Sequence, residues 1–226
     1  MTSTQRPPAA VDARELYRFF RSGEEETLAL RGVSVGAAPG QIVAVQGPSG
    51  SGKSTLLNCL AGLDEPAGGV VRIAGERISH RPELERSRIR SRRIGILLQH
   101  RNLLPHLSVR ANIALVQHAP RRHKPAKTPD ELLAQVGLSA RSAARPATLS
   151  GGELARAGLA VALANDPDVI LADEPTGELD GTTELQVLQL LADHADHGTA
   201  IVVVTHSAPV ARIADLVVTL VDGRVV

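Results

Sequence analysis

The apolar run IVAVQ, starting just after Gln41, breaks into a glycine-rich stretch, and SGKSTLLNCLAGL then supplies helix formers closed by Gly62. That order predicts strand, loop and helix. VVRIAG, Val70 to Gly75, and the segment Ile94 to Leu98 read as further short strands. Between Asn102 and Arg145 prolines interrupt the pattern, which predicts helices and loops without a clear strand, an inserted helical subdomain at about 100–160. After Ser150, ELARAGLAVALAN has the spacing of a largely buried helix, and DVILADE reads as a buried parallel strand with acids at its C-terminal end. A helix over Glu184 to His194, a β-branched strand over Ala200 to Thr205, a short helix over Pro209 to Ala214 and a last strand over Leu216 to Val221 complete the series, ahead of an Asp222-Gly223 turn. This rhythm predicts an α/β fold around a parallel sheet. Residues 1–12, rich in Pro, Ala, Ser and Thr, read as a flexible tail, and 13–226 as a single domain.

Composition narrows the picture only in places. The 226 residues carry 25 basic and 24 acidic side chains, a net charge of +1, which gives no reason to expect a polyanionic partner. The arginine run RSRIRSRR, Arg86 to Arg93, alternates with Ser and Ile without aromatic interleaving and reads as a solvated face, so no nucleic acid is expected. The single cysteine, Cys59, fits a packed thiol in a reducing compartment. No stretch approaches the roughly 18 apolar residues that a membrane span needs, and the first twenty residues lack a signal-like apolar run. A cytoplasmic protein is the expectation. The chain has one Tyr, two Phe and no Trp, so the core must be built from aliphatic residues. All three aromatics, Tyr17, Phe19 and Phe20, fall within four positions, as an exposed apolar edge or a surface for a planar ligand.

The candidate chemistry begins at Gly47-Pro48-Ser49-Gly50-Ser51-Gly52-Lys53-Ser54-Thr55. Glycines at this spacing let backbone N–H groups converge on phosphates, and the following helix adds its positive end. Lys53 would bridge the β and γ phosphates of a nucleoside triphosphate and the Ser54 hydroxyl would bind Mg²⁺. Such a loop needs a further acid at the end of a neighbouring buried strand, and Asp173 closes VILA. The adjacent Glu174 is placed to polarise an attacking water. Ser150, Gly151, Gly152 and Glu153 open the next helix, with Ser150 a natural N-cap and the glycines allowing an anion close to exposed N–H groups.

Together GPSGSGKST, Gln99 in ILLQ, LSGGE with Arg156, VILADEPTGELD and His206 in VVVTHS resemble the ATP-binding subunits of ABC transporters, over a stretch from about Leu16 to the last residue. The resemblance implies a P-loop NTPase core with a central, mainly parallel sheet, an N-terminal antiparallel β subdomain and an inserted helical subdomain. It implies a γ-phosphate and Mg²⁺ sensor at Gln99, a dimer-seam aspartate at Asp180 and a switch histidine at His206, with Glu174, His206 and Lys53 catalytic. An N-terminal aromatic would stack on adenine, and the spacing favours Phe20 over Tyr17 or Phe19. SGEEETLALRGVSV, NLLPHLSVRANIAL and ADEPTGELD look most like the lipoprotein-release and macrolide-export (LolD/MacB-like) group. Glu153 departs from the family, which commonly has Gln there. The implied assembly is a head-to-tail dimer with two ATP molecules between the copies, bound to a membrane permease at the cytoplasmic face and driving export or mechanotransmission. A soluble or cell-division ATPase without transport is the alternative. A GTP switch is disfavoured by the lack of an Asn-Lys-x-Asp segment, and a non-hydrolysing regulator by the presence of Glu174 and His206.

Overall fold

The computed structural model describes residues 9–22, 25–118 and 127–226. In chain order its elements are β1 (Val11–Ser22), β2 (Glu25–Ala37), β3 (Ile42–Gln46), α1 (Lys53–Leu60), β4 (Gly68–Ile73), β5 (Glu76–Arg77), α2 (Glu83–Arg93) and β6 (Ile94–Leu97). They continue with α3 (Val109–Gln117), α4 (Pro129–Gln135), two 3-10 turns at 139–141 and 146–148, and α5 (Gly151–Ala162). The remainder is β7 (Val169–Asp173), α6 (Gly181–Asp196), β8 (Ala200–Val204), α7 (Ala208–Ile213), β9 (Leu216–Val221) and β10 (Arg224–Val225).

The strands form two sheets. One is antiparallel, in the order β2-β1-β4-β5; the other has six strands in the order β10-β9-β3-β8-β7-β6, all parallel except the edge strand β10. Residues 1–8 of the expected tail lie outside the described residues. The tail does not reach residue 12, because Ala10 and Val11 are buried and Val11 pairs with both Ala37 and Ile73.

The unbroken apolar runs of the central strands follow from burial on both faces. In β7, Val169 and Leu171 point into the core shared with α1 and the antiparallel sheet, while Ile170 and Ala172 point into the core shared with α3 to α7. The same alternation holds in β8, with Ala200, Val202 and Val204 on one side and Ile201 and Val203 on the other. Neither core contains an aromatic residue.

Helices α3, α4 and α5 occupy the segment in which sequence reading placed the helical insertion; residues 119–126 within it lie outside the described residues. Its loops are fastened by buried amides. Asn112 accepts from the Leu104 N–H and donates to the Leu104 and Ser108 carbonyls, and Gln117 donates to Lys127 and Ala164. Helix α2 buries only Ile89 and is held by ion pairs: Arg90 with Glu83, Arg86 with Glu83 and Glu65, and Arg93 with Glu76 and Asp168.

Candidate functional site

Parallel strands carry their loops at the C-terminal edge of the sheet, where open α/β folds place their sites. The loop after β3 folds over that edge into α1. Gly47 has φ 150°, and a Cβ there would lie 2.0 Å from the Leu220 carbonyl oxygen. Gly52 has φ 101°, and its Cβ would lie 2.3 Å from the Ala29 carbonyl oxygen. Both positions therefore exclude a side chain by close backbone approach. The loop is also tied from behind, since the Gly223 N–H donates to the Ser51 carbonyl.

An open cleft of ≈ 460 Å³ lies over this loop, lined by Ser49, Gly50, Gly52, Lys53, Ser54 and Thr55 together with Phe20, Gln99, Asp173, Glu174 and His206. Gly47, Pro48 and Ser51 belong to the same loop but are not among the residues lining the cleft. Lys53 is 8% exposed, and its ammonium donates to the Gly47 and Pro48 carbonyls at 2.8 Å each. The Ser51 hydroxyl is buried without a hydrogen-bond partner among the described residues. Of the three aromatics, Phe20 lines the cleft, with the Arg18 guanidinium 4.7 Å from its ring centre. Tyr17 instead packs where Gly32 and Gly68 leave room for it.

Asp173 ends β7, paired with Val204 of β8. Burial raises its carboxyl above the ordinary value of 3.8; a hydrogen bond with the Ser54 hydroxyl pulls it back down, and the charge of Glu174 raises it again. Ser54 and Asp173 thus offer adjacent oxygen donors of the kind Mg²⁺ takes. Among the described residues, no group of three or more His, Cys, Asp or Glu side chains could hold an ion. The oxygen chemistry of the Ser54 and Asp173 pair would suit a cation that takes its remaining ligands from phosphate and water. The sign of the shift gives a prediction. The folded chain holds the Asp173 proton more tightly than the unfolded one, so ionised Asp173 destabilises the fold at neutral pH, and this cost fades as the pH falls through the carboxylate range. Asp173→Asn should therefore raise the melting temperature without metal or nucleotide at neutral pH, and only slightly, because the side chain is half-buried and screened. The gain should shrink on acidification.

Glu174 follows with φ 45°, a left-handed conformation uncommon outside glycine, its N–H donating to the Val204 carbonyl. Carboxylate oxygen Oε2 accepts from the Thr205 hydroxyl and the His206 N–H, each at 3.2 Å. The other oxygen, Oε1, is buried and has no hydrogen bond; His206 Nε2 stands 3.5 Å away. Gln99 lies exposed in the loop after β6. Sequence reading missed Asn102, which clips that loop by accepting from the Leu98 N–H at 2.7 Å and donating to the Leu98 carbonyl. A polar residue three positions beyond Gln99 was the only available signal.

Ser150, Gly151 and Gly152 are not among the residues lining this cleft. They open α5, where Ser150 accepts from the Glu153 N–H and Glu153 accepts from the Ser150 N–H, a reciprocal capping box. The Ser150 N–H first, and then Arg141 at 2.7 Å, hold the Glu153 carboxyl below its usual range. Asp180 caps α6, accepting from the Thr182 and Thr183 N–H groups, and Thr183 packs where Gly152 leaves no room for a Cβ.

Comparison with known proteins agrees with this geometry. The ABC transporter family profile matches residues 30–177. The chain is 43% identical over 223 residues to the lipoprotein-releasing system ATP-binding protein LolD 1 of Rhodospirillum rubrum, covering 97% of this chain and 99% of that protein. It is 43% identical over 221 residues to the macrolide export ATP-binding/permease protein MacB of Rhodopseudomonas palustris, covering 96% of this chain and 34% of that protein. The chain thus spans about a third of the length of the MacB relatives it matches. Among solved structures it superposes with TM-score 0.88 and 36% identity on a dimeric ATP-binding cassette in a post-hydrolysis state bound to ADP and Pi, covering 95% of this chain and 96% of that one. With the profile spanning well over half its length and near-complete relatives above 40% identity, the chain belongs to the ABC transporter family as one of its ATPase cassettes, in the group that includes LolD and MacB.

Proposed function

We propose that two copies of this chain close head to tail on two ATP molecules, hydrolyse them, and drive a membrane permease at the cytoplasmic face. The observation that carries the reading is the unpartnered, buried Glu174 Oε1 beside His206, at a cleft floored by the Gly47 to Thr55 loop. A buried carboxylate oxygen without a donor is costly and suits one supplied by substrate or water. Ser150 to Gly152 lie outside the cleft of their own chain, so on this reading the partner copy's equivalent loop covers the γ-phosphate.

Loop N–H groups surround the phosphates, and Lys53 turns from the Gly47 and Pro48 carbonyls toward the β and γ oxygens. Ser54, Asp173 and Gln99 would hold Mg²⁺, which would supply neutralisation of the phosphate charge. Glu174 Oε1 accepts the proton of the attacking water, and His206 holds that water or the transferring phosphoryl group in place. Phe20 stacks on adenine. Phe20→Ala should therefore weaken ATP binding by about tenfold, the usual worth of one aromatic stack on a base, while Tyr17→Ala leaves it unchanged.

From Ala10 onward the chain acts as one domain on this reading. No helix among the described residues is long and apolar enough to cross a membrane, so force must pass to a partner or to a further segment. Two measurements test the whole: phosphate release from ATP by the purified chain with and without Mg²⁺, and identification of the permease that accompanies it from membranes. An absence of Mg²⁺-dependent release would overturn the ATPase role. Turnover with no permease association would favour a soluble ATPase.

A further inference from the structure

Helix α6 carries a carboxylate in its first turn, Glu184, that none of the motifs includes. Its Oε1 accepts from the Thr176 hydroxyl at 3.0 Å and from the Ser207 hydroxyl at 2.6 Å. Thr176 lies two residues after Glu174 and is 3% exposed; Ser207 directly follows His206. The network continues inward. The Ser207 N–H donates to the Thr205 hydroxyl, and that hydroxyl donates to Glu174 Oε2. Glu174 and Glu184 are thus joined by two routes, one through each loop. Glu174, Glu184, His206, Thr176 and Ser207 line one cleft, which shares Gln99, Glu174 and His206 with the nucleotide cleft.

We propose that Glu184 is a positioning residue for hydrolysis, clasping the loop after Glu174 to the loop that carries His206. Bonds from hydroxyls to an ionised carboxylate are among the stronger neutral-to-charged hydrogen bonds, and both converge here on one oxygen. Each ties one of the two loops to α6, Thr176 on the Glu174 side and Ser207 on the His206 side. Glu174 sits in a left-handed backbone conformation that persists only where its surroundings over-determine it. His206 is 60% exposed and has little packing of its own. Without the clasp, both loops keep their residues but lose the fixed approach of His206 Nε2 to Glu174 Oε1, and small misplacements of reacting groups carry large rate penalties.

The proposal rests on the ATPase reading, and its test separates the two. Steady-state kinetics of Glu184→Ala should show kcat lowered by about tenfold with KM for ATP within about twofold of the parent, since the clasp touches the hydrolytic residues and not the phosphate loop. Glu184→Gln should recover most of the lost rate, because its side-chain oxygen still accepts both hydroxyls. Thr176→Val, close in shape, should slow turnover in the same way, and adding Glu184→Ala to it should cost less than Glu184→Ala alone. Hydrogen exchange gives a readout independent of turnover: in Glu184→Ala, residues 174–179 and 205–210 should both exchange faster while α1 is unchanged. Unchanged kcat in Glu184→Ala, equal losses in the Ala and Gln variants, or unaltered exchange in both loops would overturn the clasp and leave the ATPase reading standing. A parent without ATP turnover would overturn that reading, with the clasp then judged on exchange alone.

Discussion

Glu174→Gln is expected to bind ATP with the parent's affinity, to hydrolyse it at least about a hundredfold more slowly, and to accumulate as an ATP-bound dimer. The magnitude is that of removing a positioned general base. The local geometry explains why binding should survive. Glu174 Oε2 takes two donors, the Thr205 hydroxyl and the His206 N–H, so a glutamine will place its carbonyl oxygen there. Its amide nitrogen then falls where Oε1 was, beside His206 Nε2. The backbone and both neighbouring loops stay as they are, and the Gly47 to Thr55 loop is untouched. What is lost is the carboxylate oxygen that has no donor, and an amide N–H cannot take a proton from water. Phosphate release and sedimentation velocity in Mg²⁺-ATP measure the two halves of the prediction. Parent-like turnover by this variant would remove Glu174 from the catalytic role; slow turnover without a dimer would leave the base in place and sink the head-to-tail assembly.

How much of this was legible in the sequence depends on what held each element. β3, β7 and β8 are apolar at nearly every position because they are buried on both faces, and a run such as VILA announces that directly. β1 hid because its alternation is broken. Register shifts fall between Ala13 and Leu16 and again between Arg18 and Phe19, with Glu15 at φ 50°, so Val11, Ala13 and Leu16 are not evenly spaced. The same strand begins inside the Pro and Ala-rich stretch that reads as a tail. α2 hid for the opposite reason. With Ile89 its one buried residue, it has no apolar stripe, and what holds it is carboxylates distant in sequence, Glu65, Glu76 and Asp168. Periodicity cannot report partners of that kind.

The site was more legible than the fold, since phosphate loops and acid-ended strands demand fixed residue types at fixed spacing. Even so, the spacing only favoured Phe20 among three aromatics, and the backbone path separates Phe20 at the cleft from Tyr17 against Gly32 and Gly68. Asn102, Ser207 and Glu184 were invisible for a common reason. Each acts by hydrogen bonds to loops, and an isolated Asn, Ser or Glu carries no pattern until the loops are placed.

Lys53→Ala should fail at the earlier step, losing about a hundredfold or more in ATP affinity. An ammonium has three donors, and two are spent here on the Gly47 and Pro48 carbonyls within the loop it serves. Phosphate oxygens are better acceptors for a cation than neutral carbonyls, so the same side chain is expected to exchange partners when ATP enters. Each charge-assisted bond is worth about 1.5–3 kcal/mol, and roughly 1.4 kcal/mol is tenfold in affinity, so losing two to the phosphates accounts for the predicted factor. The empty loop should loosen as well, because no other side chain spans its two carbonyls among the described residues. Lys53→Arg is not expected to restore binding: the position is 8% exposed, and a planar guanidinium fork does not fit the slot of a compact ammonium. Equilibrium titration with ATP, in Mg²⁺, reads this directly. Affinity within about threefold of the parent would mean that the loop's N–H groups alone hold the phosphates. Paired with Glu174→Gln the result is more discriminating, since one variant should lose binding and the other only turnover; the reverse pattern would require the two residues to exchange roles, which their positions on the loop floor and at the strand end do not permit.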